Sequence, residues 1–136
     1  MNKIRHVAAI SFFTMCFVLN VGAIIAMAEP STPSSLSPLE LKGQTLYTAR
    51  CTACHSVDYN GIGPAHKNVV GRNAGVVKGY TYSPALKASK LVWNERNLDQ
   101  WLANPELLVP GQKMFIPTPD ADERAALIAY LKSISK

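Results

Sequence analysis

Cys51-Thr52-Ala53-Cys54-His55 places two thiols three positions apart, with an imidazole directly after the second. This is the pattern for covalent attachment of a c-type haem. Each thiol can add to one vinyl group of the porphyrin. On a helical turn both thiols and the imidazole face the same way, so His55 can reach the iron of a cofactor anchored by Cys51 and Cys54. Two other readings of a C-x-x-C pair stand beside it, a thioredoxin-like dithiol and half of a zinc site. The first requires a βαβ setting and the second a further pair of ligands, and the sequence displays neither.

Upstream of the motif the chain begins with a basic cluster, Lys3, Arg5 and His6, followed by 22 residues without a charge from Val7 to Ala28. The stretch closes on Ala26-Met27-Ala28, a small-x-small pattern. Residues 1–28 therefore read as a secretory signal peptide. The competing reading is an uncleaved membrane anchor, since 22 largely apolar residues can span a bilayer. Asn20 and Gly22 weaken such a span. Cys16 lies within this segment, lacks a lipobox before it and receives no role.

Setting aside Lys3 and Arg5 lowers the net charge from +5 to +3. That balance is too weak to indicate nucleic acid as a partner, and no aromatic and basic interleaving strengthens the case. Beyond residue 28 the cysteines are Cys51 and Cys54, the histidines are His55 and His66, and Met114 is the one methionine. One iron porphyrin held by two cysteines, a histidine and a methionine fits this inventory. Met114 could otherwise be a core methionine, the usual fate of the residue.

Residues 29–38, EPSTPSSLSP, hold three prolines and four serines and read as a Pro/Ser-rich spacer. Ser37, Pro38 and Glu40 then form a helix start, with Ser at the N-cap, Pro first in the helix and Glu completing a capping box. This helix is expected to carry Leu39, Leu46 and Tyr47 on one face and to run into the haem motif. Gly43 in its middle suits a close approach by another helix. From Ser56 to Gly79 recurrent glycines predict a loop that cannot build its own core but can wrap a ligand. Ser83-Pro84 opens a short helix. Asn94 caps another through Leu98, Trp101 and Leu102, stopped by Asn104-Pro105, after which a further loop contains Pro110-Gly111-Gln112-Lys113-Met114. The last helix starts near Thr118-Pro119 or at the Asp120-x-x-Glu123 pattern, with Leu127, Ile128, Leu131 and Ile134 as its apolar stripe. The sequence thus predicts an all-α domain, thin in core for its length unless a buried haem supplies apolar mass.

Over residues 39–135 the chain resembles a class I c-type cytochrome, of the bacterial kind related to the mitochondrial carrier. The resemblance rests on Gly43 and Tyr47, the Cys51–His55 motif, Gly63-Pro64, Gly71-Arg72, Tyr80-Thr81-Tyr82, Trp93, Pro105, Pro110 to Met114 and Leu127 to Leu131, in that order. It implies a small cytochrome c fold over 39–136, with three main helices plus short helices and loops wrapped around one covalent haem c. It implies that His55 and Met114 are the axial iron ligands, that Cys51 and Cys54 are the covalent anchors, and that the Pro64 carbonyl accepts the ring N–H of His55. Arg72, Tyr82 and Trp93 match the family's donors to a buried propionate, and Gly43 and Tyr47 match residues that meet Leu127 and Tyr130 at a helix crossing. Arg72 could instead be a solvated charge and Trp93 plain core. Soft thioether opposite imidazole favours the ferrous state and raises the reduction potential.

The chain also departs from the family pattern. Trp101 stands where a Tyr often bonds near the Met sulfur, so that contact becomes an indole N–H or is lost. His66 replaces a Leu that commonly packs beside the proximal His; on its own it reads as a partly buried or surface histidine rather than a ligand. Glu106 and Leu107 occupy places where mitochondrial relatives carry lysines, leaving Arg50 and Lys113 as the basic residues at the haem edge. The loop from His55 to Gly63 is shorter than in those relatives, Phe115 follows Met114, and Ile116 stands in place of an aromatic.

The function implied is single-electron carriage in a respiratory or periplasmic chain, not enzymatic catalysis. The donor would be a dehydrogenase or membrane complex and the acceptor an oxidase or reductase. The resemblance implies a monomer in the periplasm, in contact with the membrane only if residues 1–28 are retained. A membrane-anchored or dedicated subunit of an oxidoreductase complex is the alternative. A haem peroxidase or ligand sensor is a third reading and requires Met114 to leave the iron.

Overall fold

The computed structural model describes residues 35–135. The expected signal or anchor and most of the spacer lie outside the described residues. Five helices follow in order: α1 Pro38–Arg50, α2 Pro84–Ala88, α3 Glu95–Ala103, α4 Pro105–Leu108 and α5 Ala121–Ser133. Three are long and two short, and among the described residues the β structure is confined to an isolated bridge between Asn73 and Val92. The absence of strands there removes the βαβ setting that a thioredoxin-like dithiol needs.

Each helix starts where its cap dictates. Ser37 accepts from the Glu40 N–H and the Glu40 carboxylate returns to the Ser37 N–H, a complete capping box with Pro38 in the first turn. Ser83 and Asn94 cap α2 and α3 through their side chains. Asn104 does two jobs. Its backbone N–H closes α3 onto Gln100, and its side chain then accepts from the Leu107 N–H to open α4 with Pro105 in the first turn. The sequence reading took Asn104-Pro105 as a stop and missed α4, because the residues that end one helix here begin the next.

The last helix is capped by Asp120, which accepts from the Glu123 N–H at 2.8 Å. Thr118-Pro119 is not its start, and the Glu123 carboxylate does not close a box. It takes a bidentate bond from Arg50 instead, at 2.5 and 2.7 Å, tying the C-terminal end of α1 to the first turn of α5. Farther along, α1 and α5 cross with almost no space between backbones. A Cβ at Gly43 would overlap the Ala126 carbonyl and come within 2.8 Å of Tyr130 Cβ. Tyr47 packs against Tyr130 with ring centroids 5.2 Å apart. Ala126, completely buried, is thus the residue that meets Gly43 at the crossing, beside Tyr130. Leu39 is not on the packed face. It is 47% exposed, while Gly43 and Tyr47 are the buried residues of α1.

Tyr47, Leu98, Trp101, Leu102, Leu127, Ile128, Tyr130 and Leu131 form one cluster with Val69, Tyr82, Leu86 and Trp93 from the loop side. Two long segments without helix, 51–83 and 109–120, add Val69, Tyr82 and Val109 to the cluster, with Met114 packed against it.

Candidate functional site

The Cys51–His55 motif begins where α1 ends. Cys51 is the C-cap of α1, and its carbonyl accepts from the Cys54 N–H at 3.0 Å and the His55 N–H at 2.8 Å. The motif therefore forms one further turn on the end of a helix that is itself locked against α5. Both cysteines are half-buried free thiols. Burial pushes the Cys51 thiol up to about 11, opposed by Arg50 and reinforced by Cys54.

The chain that follows folds back on this turn. Gly63 donates to the Cys54 carbonyl at 2.7 Å, and His66 and Lys67 donate to Ser56 and Val57. Asn60 staples the loop from inside, accepting from the Ala65 N–H and donating to the Lys78 carbonyl. His55 is held within it: Nδ1 donates to the Pro64 carbonyl at 2.9 Å. Burial lowers the imidazole's pKa, with the Pro64 bond partly opposing, so the ring is neutral near pH 7 and its Nε2 lone pair is free to bind a metal. Gly63 is required here because a Cβ would overlap the His55 ring.

Met114 comes from the other loop. Its N–H donates to Gln112 Oε1, and the Glu106 carboxylate takes bonds from the Gly111 N–H and from Gln112 Nε2. The loop's far end is fixed by Thr118, which donates to the Leu102 carbonyl at 2.6 Å, and by Arg124, which donates to the Thr118 and Pro119 carbonyls and to Asp99. Among the described residues the sulfur has one polar partner: Trp101 Nε1 donates to Met114 Sδ at 3.1 Å. Trp101 in turn packs edge-on to Trp93, centroids 5.1 Å apart.

Between these loops lies a cavity of about 460 Å³ lined by Cys51, Cys54, His55, Pro64, Arg72, Tyr82, Trp93, Trp101 and Met114, with Leu98, Leu102, Leu127 and Leu131 as apolar floor. The structure brings all eight sequence-identified site residues to this one space. Arg72 spans the loop, its Nη1 donating to Lys67 and its Nη2 to Ala65, while its buried Nε has no partner among the described residues. An unsatisfied buried guanidinium nitrogen is costly, and at the wall of the cavity it suits an anionic oxygen. A flat, mainly apolar group with acidic substituents, such as haem, fits the walls, the orphaned donor and the paired thiols. A zinc site does not: among the described residues no three or more His, Cys, Asp and Glu side chains are grouped so that they could hold a metal ion.

Several features were not visible in the sequence. Arg50 and Lys113, expected as basic residues at the haem edge, both line the cavity, and Arg50 is in addition paired with Glu123. The Tyr80 hydroxyl donates to the Ile62 carbonyl at 2.7 Å. His66 stacks on His55, with ring centroids 4.1 Å apart and planes at 20°. It also shares a 3.1 Å hydrogen bond with the Tyr47 hydroxyl. Spacing within a glycine-rich loop gives no side-chain direction, so only the Leu-to-His departure marked the position.

Fold and cavity together define a small all-α protein built to enclose one flat cofactor between a Cys/His turn and a methionine loop. The family model described as cytochrome c matches residues 41–135. Cytochrome c of Gibberella zeae is 42% identical over 99 residues, covering 70% of this chain and 93% of that protein. Cytochrome c2 of Rhodomicrobium vannielii is 42% identical over 95 residues, covering 67% and 75%. Among solved structures, cytochrome cH from Methylobacterium extorquens superposes with a TM-score of 0.67 at 45% identity, covering 69% of this chain and 97% of that one. The chain belongs to the cytochrome c family. It carries one covalently attached haem c and is an electron-transfer protein, not an enzyme, passing electrons between redox partners.

Proposed function

We propose that this cytochrome shuttles single electrons with His55 and Met114 as the axial ligands of the iron and Cys51 and Cys54 as the covalent anchors. The haem supplies the one-electron couple, and the chain supplies its setting. Pro64 orients His55 and fixes which ring nitrogen is free for the metal. Arg72 offers its unpartnered Nε to a propionate, with Tyr82 and Trp93 on the same wall. The observation that carries this reading is the convergence on one apolar cavity of a neutral, oriented imidazole and a thioether already held by an indole N–H. His55 and Met114, each held by its own loop, would keep both ligand positions in place with little rearrangement between oxidation states, which suits a carrier.

The partners we infer are a dehydrogenase or membrane complex as donor and an oxidase or reductase as acceptor, met one at a time by a monomer in the periplasm. Contact would be small and transient. Residues 1–28 would direct export and be removed, residues 29–38 would form a spacer, and 39–136 the haem domain. Among the described residues no helix is long and apolar enough to cross a membrane. N-terminal sequencing of the purified protein should begin near Glu29; retention of residues 1–28 in a membrane fraction would favour an anchored subunit.

The ligation is tested by absorption spectra of the purified holoprotein, oxidised and reduced, with and without carbon monoxide. A low-spin ferric spectrum with the weak far-red sulfur-to-iron band, unchanged by carbon monoxide, is expected. A high-spin spectrum or ready carbon monoxide binding would overturn it and bring a peroxidase or ligand sensor forward.

A further inference from the structure

His66 stands out because the carrier reading assigns it nothing, yet it makes the closest ring contact in the site. Three elements confine the His55 imidazole. The Pro64 carbonyl takes its Nδ1–H at 2.9 Å, the Gly63 backbone lies so near that a Cβ there would overlap Cε1, Nδ1 and Nε2, and the His66 ring stacks on it at 4.1 Å. The stacked ring is itself restrained. Its Nδ1 is hydrogen-bonded to Tyr47, a buried residue on the α1–α5 crossing, and its own backbone N–H is bonded to Ser56.

The covalent tether and the Pro64 bond set the ring's approximate orientation but leave it some libration about Cβ–Cγ; a stacked partner narrows that range, because two flat rings 20° from parallel hold each other's planes. An aliphatic side chain could fill the same space without selecting a plane. The Tyr47 bond matters for the same reason, since it carries the rigidity of the helix crossing to His66 and from there to His55.

We propose that His66 is a positioning residue that fixes the rotational setting of the His55 ring, acting as a stacked plate anchored through Tyr47 to the α1–α5 crossing. The inference rests on the reading of His55 as an iron ligand. The ring plane of an axial imidazole governs how its π orbitals meet those of the metal, so the consequence appears in the electronic structure of the ferric haem and not merely in stability.

The test uses the full-length chain matured as holoprotein, with His66→Leu, His66→Phe and Tyr47→Phe. The readouts are the paramagnetically shifted haem-methyl resonances in proton NMR and the ferric electron paramagnetic resonance signal, with thermal unfolding as the control for structure. Wild type should give one sharp set of methyl resonances. His66→Leu should change their spread or split them into more than one set, His66→Phe should keep a single set because stacking survives, and Tyr47→Phe should fall between. If His66→Leu keeps the wild-type pattern while only its unfolding temperature moves, His66 is packing and the proposal fails. If His66→Leu does not accumulate as holoprotein, Tyr47→Phe decides: a methyl pattern unchanged from wild type then overturns the proposal, and a broadened or split one supports it. Failure of the ligation itself would look different, as a high-spin wild-type spectrum before any substitution is made.

Discussion

The two sides of the cavity hold their functional atoms in different ways. On the His55 side a ring is confined by a backbone carbonyl, a glycine backbone and a stacked imidazole, in a loop bonded at several points to the motif turn. On the Met114 side a flexible thioether is held by a single indole N–H. Its loop is shaped by side-chain bonds from Glu106 and Gln112 and exposes Phe115 and Ile116, 77% and 58% accessible. The first arrangement is built from short-range backbone bonds and will persist as long as the fold does. The second depends on side-chain bonds, one of them to the exposed Glu106, so it is the side that should yield first.

The largest expected effect comes from removing the weaker side altogether. Met114→Ala should leave a folded, covalently loaded protein, because His55, the thiol turn and the α1–α5 crossing are untouched. Its spectrum should become high-spin, it should bind carbon monoxide, and peroxidase-like activity should rise well above wild type. A wild type already as active as the variant would abolish the contrast between the two sides.

Next is Gly63→Ala, which attacks the firm side. The obstructing atoms belong to a ring held on other sides, so relief requires backbone movement, and overpacking of this kind costs about 1–3 kcal/mol. Denaturant titration should register that loss together with perturbed haem signals. An unchanged midpoint would show that the His55 side has more give than its contacts indicate. Glu106→Ala is the matching attack on the other side, with a smaller outcome. The far-red sulfur band should disappear at lower denaturant than in wild type, while global unfolding shifts little.

The asymmetry also explains what the sequence could and could not reveal. Helix starts were legible because Ser37, Asn94 and Asp120 act on neighbours three residues away, and local spacing determines them. The haem turn was legible for the same reason. What escaped depended on partners far along the chain. Leu39 looked like part of a packed stripe, yet Gly43 and Tyr47 are the buried residues of α1 and Leu39 is exposed. Glu123 fitted a capping box, yet Arg50, 73 positions away, claims its carboxylate. The roles of Arg72, Tyr82 and Trp93 came from family resemblance, since all three lie outside the helices, where no periodicity gives a side-chain direction. His66 could be marked as a departure, but its stacking on His55 follows from loop bonds that no spacing rule predicts.

The finest probe of the comparison is Trp101→Phe. It removes the one polar contact to Met114 Sδ while keeping an aromatic ring against Trp93, so cavity packing should change little. An N–H directed at the sulfur draws on a lone pair and makes the thioether a poorer donor to iron. A poorer donor stabilises the oxidised metal less, so the native indole should raise the reduction potential and its loss should lower it. A neutral hydrogen bond contributes about 0.5–1.5 kcal/mol net, and one electron converts each 1.4 kcal/mol to about 59 mV, so roughly 20–60 mV bounds the decrease. Direct voltammetry of the two holoproteins resolves a shift of that size. A potential that stays put would mean that the bond at 3.1 Å does not survive with the sulfur on the metal, leaving Met114 positioned by its loop alone; a potential that rises would reverse the sign of the argument and make the indole a donor-enhancing contact.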